Sequence, residues 1–183
     1  MKSILIIITA LFISISVQAQ ENTSNKKLTR KEKKELKKKE DEKTKKEIRL
    51  LIESNKFVFE ADQIIDREGN TYAANSNINF ISLDSTHVVF QLGSASLIGV
   101  NGVGGVTIEG STSTFKVNHN EKNGYTYIIM KVESKLGFYD IQMDISPLGK
   151  TSAKITTSNN KRIGYSGEIV SFKDSRIYQG TTF

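Results

Sequence analysis

The sequence predicts a mainly β protein, an antiparallel β-sandwich or small β-barrel preceded by a charged N-terminal helix. Three observations carry this prediction. From Phe57 onward apolar residues recur at every second position, the period of half-buried strands. Clusters of turn-forming residues separate those runs. No aromatic residue lies between positions 13 and 56, while fourteen aromatics and all thirteen glycines lie beyond them, which puts the boundary between helix and β region near residues 48–56.

The first element, residues 1–19, reads as a secretory signal. Lys2 precedes an apolar run from Ile4 to Val17, and Val17-Gln18-Ala19 presents a small residue at the exit. The run is shorter than the ~20 residues that cross a bilayer as a permanent helix. Gln20-Glu21-Asn22 supplies no positive stop-transfer flank. Cleavage between Ala19 and Gln20 is expected, leaving a periplasmic or secreted chain with no permanent membrane span. The 183-residue sequence holds no cysteine, which excludes disulfides, thiol catalysis, cysteine-ligated metals and a cysteine-linked lipid. The product must therefore stand on its hydrophobic core.

Residues 20–49 form the second element, a Lys/Glu-rich helical segment. Residues 26–49 hold 13 Lys/Arg against 6 Asp/Glu, a net +7, whereas residues 50–183 hold 12 against 13, a net −1. The +6 of the whole chain is thus the property of one segment. Thr29-Arg30-Lys31-Glu32 fits a capping box. Glu35 with Lys39, Asp41 with Lys45 and Glu42 with Lys46 stand at the favourable acid-first spacing of four. Large apolar residues are missing between Leu36 and Ile48, so a coiled coil is excluded. Ile48, Leu51 and Ile52 make the one patch able to dock on the following domain. Most of this helix is expected to be solvated. Lys31, Lys34, Lys38 and Lys45 are its candidate contacts to an anionic surface, either lipid headgroups or acidic envelope polysaccharide. Nucleic acid fits poorly, because the segment has no interleaved aromatics and an exported protein seldom meets it.

Residues 50–183 read as a single β-rich domain. Its expected inward rows are Phe57, Phe59 and Ala61; Ile78 and Phe80; Val88, Phe90 and Leu92, with His87 and Gln91 opposite; Phe115 and Val117; Ile128, Met130 and Val132; Tyr139, Ile141, Met143 and Ile145; Ala153 and Ile155; and Ile163, Tyr165 and Ile169. Turns are expected at Glu68-Gly69-Asn70, from Asn120 to Gly124, at Pro147-Leu148-Gly149 and at Ser158-Asn159-Asn160. Periodicity alone does not choose between sandwich and barrel.

No constellation in this region supports catalysis, a metal or a cofactor. The glycine-rich stretch from Gly93 to Gly110 lacks the Lys-Ser/Thr of a phosphate loop, since Gly105-Val106 stands there, and reads more simply as bulges or an irregular hairpin. Asp140 and Asp144 share a strand face but lie roughly 13 Å apart along it, too far for a glycosidase pair. Asp66-Arg67-Glu68-Gly69-Asn70 lacks the ligand spacing of a calcium loop. Gly164-Tyr165-Ser166-Gly167 is one residue short of a nucleophile elbow. His87 is expected on an exposed strand face and His119 in a loop, both as surface residues.

Leu148-Gly149-Lys150 to Ile155, then Ser158-Asn159-Asn160-Lys161-Arg162-Ile163-Gly164-Tyr165-Ser166-Gly167-Glu168-Ile169, resembles the end of the bacterial domain-of-unknown-function family numbered 4251, where an N-R-x-I-S-[FY]-x-G-x-I run closes the domain. Gln91-Leu92-Gly93 through Gly104-Gly105-Val106 is similar to the family's glycine-containing middle. Lys161 intervenes between Asn160 and Arg162, and Gly164 stands where the family has Ser. The resemblance covers roughly residues 50–170 and implies an exported bacterial β-rich domain with no assigned activity and no catalytic residues to carry over. The expected function is a non-enzymatic exported domain binding a ligand or envelope partner. The alternative is a hydrolase of envelope polysaccharide that uses dispersed carboxylates.

Overall fold

A computed structural model describes residues 29–94 and 101–182 of the chain; residues 1–19, with the expected cleavage between Ala19 and Gln20, lie outside the described residues. The chain divides into two compact units, the first ending at Lys37 and the second starting at Lys38. Helix α1 (Arg30–Glu53) contributes to both. In the first unit Thr29 and Glu32 form the predicted capping box. The Thr29 amide donates to Glu32 Oε2 (2.8 Å) and the Glu32 amide donates to Thr29 Oγ1 (3.3 Å). The Thr29 amide also holds the Glu32 carboxyl below its ordinary pKa. At the other end Asn55, at φ 51°, stops α1 in the left-handed conformation that asparagine tolerates.

The second unit is a β-barrel. Its strands are β1 (Lys56–Ile65), β2 (Thr71–Ala73), β3 (Phe80–Asp84), β4 (His87–Leu92), β5 (Val106–His119), β6 (Thr126–Ser134), β7 (Gly137–Ile145), β8 (Lys150–Thr157) and β9 (Arg162–Val170). All neighbours are antiparallel, in the order β2-β1-β3-β4-β5-β6-β7-β8-β9. The pairing of β1 with β9, from Val58 opposite Val170 to Ile65 opposite Gly164, decides between sandwich and barrel. It closes β1 and β3–β9 into an eight-stranded ring, leaving β2 as an extra strand on the far half of β1. Closure brings two backbones into close approach: a Cβ at Gly167 would stand 1.9 Å from the Glu60 carbonyl oxygen, beside the irregularity in β1 between Ala61 and Gln63. Glycine is the residue that permits it.

The inward rows form one core in which Phe57, Phe59, Leu83, Ile128, Met130 and Ile141 are fully buried. Ile52 of α1 joins this core, with Ile48 and Leu51 packed against it, so the predicted docking patch closes one end of the barrel. Tyr139, expected to be buried, is half-buried, and its ring meets Phe90 edge-on at 4.8 Å.

Several expectations need correction. Phe80 does not face inward; Ile81 and Leu83 do, while Phe80 packs outside the barrel with Val58 and Val89. Gln91, expected in solvent opposite the inward row, is 1% exposed. Phe80 and Gln91 stand opposite each other on the outer face, and both are buried there for one reason: residues 171–182 run as an irregular strap over this face, with Ile177 against the outer cluster. His119 ends β5 rather than sitting in a loop. The glycine stretch also carries strand: β5 begins at Val106, and Gly105 abuts β4 so tightly that a Cβ there would reach 1.8 Å from the Leu92 carbonyl oxygen. Residues 95–100 of that stretch lie outside the described residues. Within α1, Glu42 pairs with Lys45 at 2.7 Å instead of the predicted Lys46.

Candidate functional site

The candidate contacts to an anionic surface lie on the basic helix, most of which was expected to be solvated. Lys31, Lys34, Lys38 and Lys45 are all exposed. A spacing of three residues puts Lys31 and Lys34 on one side of the first unit's part of α1, and a spacing of seven does the same for Lys38 and Lys45 in the second unit. Among the described residues Lys31, Lys34 and Lys38 make no ion pair, so their charges stay available. Lys45 donates to Glu42 and holds that carboxyl below its ordinary pKa. Both partners are exposed, and a pair of this kind contributes little to stability.

Lys45 also lines a cleft that the sequence did not reveal. Between the last turns of α1 and the β5–β6 and β7–β8 turns lies a hollow of about 360 Å³, walled by Lys45, Lys46, Arg49, His119, Glu121 and Pro147 among others. Arg49 spans it, with Nε donating to Glu53 (3.0 Å) and Nη2 reaching Glu121 at 3.5 Å. These carboxylates raise the Arg49 pKa further, so its charge is permanent. His119 Nδ1 lies 2.9 Å from Thr126 Oγ1, and its Nε2 is 3.8 Å from Glu121. The cations of the cleft, Lys45, Lys46 and Arg49, all come from the helix, whereas the barrel contributes the Glu121 carboxylate, so the cleft joins the two by charge pairing. Arg49 follows Lys45 by one helical turn and could have been read with it. Glu121, 72 residues further along the chain, could not.

The remaining candidates are not drawn together. Asp140 and Asp144 are exposed on β7, opposite Lys131 and Tyr127 of β6. Asp66 shapes the β1–β2 hairpin: its carboxylate accepts from the Asn70 amide (2.8 Å), Asn70 Nδ2 (2.8 Å) and Tyr72 hydroxyl (3.2 Å), which hold its pKa low. Ser166 lies on β9 opposite Ser152, whereas His87 and His119 lie on β4 and β5, which do not pair with β9. His87 Nε2 lies 2.7 Å from Glu109 Oε1 on an exposed face. Glu60 accepts from Ser175 Oγ (2.6 Å) and the Arg176 amide (2.9 Å), and so anchors the strap. Among the described residues no three His, Asp or Glu side chains gather as metal ligands.

A polar network that sequence reasoning missed lies under the strap. Gln91 Nε2 donates to the carbonyls of Ile78 (3.0 Å) and Tyr178 (2.9 Å), and Gln91 Oε1 accepts from Thr107 Oγ1 (2.6 Å) and the Gly180 amide (2.8 Å). Asn101 Nδ2 donates to Thr107 Oγ1 (3.1 Å), and the Asn101 carbonyl accepts from the Thr181 amide (3.0 Å). Every Gln91 hydrogen-bonding position is used, which is what lets this side chain be buried. The network is structural, because it joins strap to barrel.

The family profile described as domain of unknown function DUF4251 matches residues 38–169. The chain belongs to this family. The DUF4251 match takes in α1 from Lys38 onward and runs through β1–β8 to Ile169 in β9, beginning earlier than the roughly 50–170 of the sequence resemblance. The crystal structure of a DUF4251 family protein from Bacteroides eggerthii DSM 20697 aligns with a TM-score of 0.62 at 22% identity, covering 72% of this chain and 90% of that one. At that identity the likeness is one of fold. No curated protein matches the chain.

Proposed function

We propose that this DUF4251 protein is an exported, non-enzymatic β-barrel domain, periplasmic or secreted, that binds anionic material of the cell envelope through its basic helix. The observation that carries the reading is the separation of charge: +7 on residues 26–49 and −1 on the rest after them, with Lys31, Lys34 and Lys38 exposed and unpaired among the described residues. Uncommitted cations along one helix attract a polyanion without a shaped pocket, and salt weakens that attraction by screening. Lipid headgroups and acidic polysaccharide share this chemistry.

The test uses the chain without residues 1–19 and a variant carrying Lys31→Gln, Lys34→Gln, Lys38→Gln and Lys45→Gln. Cosedimentation with vesicles containing an anionic lipid, with neutral vesicles, and with an acidic polysaccharide separates the two sources. The unsubstituted protein is expected to bind one anionic target, with affinity falling as salt rises, and the variant to bind about tenfold or more weakly. Equal binding by both proteins would remove this role from the helix.

A further inference from the structure

Strand β5 is longer than either of its partners allows. Its first half, from Val106 to Ser111, pairs with β4 on one edge. Its second half pairs with β6, from Thr114 opposite Lys131 to His119 opposite Thr126, after an irregularity between Thr112 and Thr114. Among the described residues no strand pairs with the other edge of residues 113–119, a free ladder of about 20 Å.

The side chains along this edge are not those of a protected one. Val117 stands opposite the fully buried Ile128, so it belongs to the inward row, yet it is 45% exposed because no strand shields it from the side. Phe115 beside it is half-buried. On the outer face, Tyr127 and Ile129 of β6 are 39% and 45% exposed. Native edges are usually blunted by several charges, by proline or by a covering segment. Here Lys116 is the one charge between Ser113 and Asn118, and the sequence places no proline there.

We propose that residues 115–119, within this free edge, pair edge to edge, antiparallel, with the same residues of a second copy of this chain. A register centred on Val117 is self-complementary. With Val117 opposite Val117 of the other copy, Phe115 meets His119 and Lys116 meets Asn118, so no like charges stand directly opposite. The neighbouring register would oppose Lys116 to Lys116 and is disfavoured for that reason. The pairing is a two-fold, closed interface that joins the β5–β6 sheets of two barrels and covers both Val117 side chains. It does not depend on the role of the helix. Two copies carry two basic helices, so any attraction to an anionic surface becomes bivalent.

Sedimentation of the chain without residues 1–19, over a concentration series, is expected to show a monomer–dimer equilibrium. Val117→Lys sets two cations face to face and should raise the dimer Kd about tenfold or more, while its thermal unfolding reports that the barrel is intact. Because the natural chain has no cysteine, Val117→Cys introduces a single thiol per copy. Mild oxidation of that variant should give a covalent dimer, much faster than for Leu136→Cys at the exposed β6–β7 turn. A monomer at every concentration, a Kd unchanged by Val117→Lys in a folded variant, or equal cross-linking at the two positions would each overturn the pairing.

Discussion

Inside the barrel, side chains are buried because strands close on strands; on the outer face of β1, β3 and β4, Val58, Phe80 and Val89 are buried because an irregular strap lies over them. The two regions differ in what holds them. The inner core needs only alternation and closure, and its stability is spread over many apolar contacts. The outer cluster is small, and its cover is fixed largely by polar groups: Glu60 at one end of the strap, and Gln91 with Asn101 towards the other. A strand face can therefore read as half-polar and still be buried, provided its polar residues are the ones that bind the cover.

The largest expected effect tests the inner region. Ile141 is fully buried on β7, and Ile141→Ala should cost about 2–5 kcal/mol of unfolding free energy, measured by denaturant titration. Asp144, three residues along the same strand but exposed, is the contrast: Asp144→Asn should change stability by less than about 0.5 kcal/mol. Comparable losses from the two changes would mean that the inward and outward rows of β7 have been exchanged.

The same contrast explains what could be read from the sequence. Tyr139, Ile141, Met143 and Ile145 alternate with polar residues, and a one-residue slip would invert them all, so their side of the sheet was legible. Thr29 to Glu32 and the Ile48–Leu51–Ile52 patch were legible because their partners are local or simply apolar. In β3 and β4 both faces are buried, and Phe80-Ile81-Ser82-Leu83 loses the period-2 signal. The strap that buries Phe80 and Gln91 lies about ninety residues away and has no strand pattern to announce it. The candidate lysines could be named from composition, whereas the cleft depends on Glu121, which only folding brings to Arg49.

A middle-sized effect tests the outer region. Gln91→Leu keeps the volume apolar but leaves the Gly180 amide, Thr107 hydroxyl and two carbonyls without their partner. The expected loss is about 1–3 kcal/mol. Hydrogen exchange should place it: the Gly180 and Thr181 amides should lose protection far more than those of Ile141 and its neighbours, because the strap can open while the barrel stays closed. Uniform loss along the chain would make the strap part of the same cooperative unit as the core, and the comparison drawn above would fail.

The smallest effect concerns Glu109, where the end of the strap meets β5. A hydrogen bond with His87 and a second from Thr182 hold the Glu109 carboxyl below its ordinary pKa. The ionised form is therefore favoured by folding. Its contribution is complete above the ordinary carboxylate pKa and is lost as pH falls through the lowered folded value. The side chains of His87 and Glu109 are 52% and 43% exposed, so solvent screening limits this contribution to about 0.5 kcal/mol or less. Glu109→Gln should flatten that part of the acid-side stability profile and leave neutral-pH stability within about 0.5 kcal/mol of the unsubstituted chain. Exchange at the Thr181 amide, whose acceptor is the Asn101 carbonyl, supplies the local readout, compared at each pH with Ile141 to remove the intrinsic pH dependence of exchange. The ratio should rise on acidification in the unsubstituted chain and stay flat in the variant. A flat ratio in both would show that Gln91 and Asn101 hold the end of the strap without help from Glu109. The outer region would then depend on its buried polar groups alone.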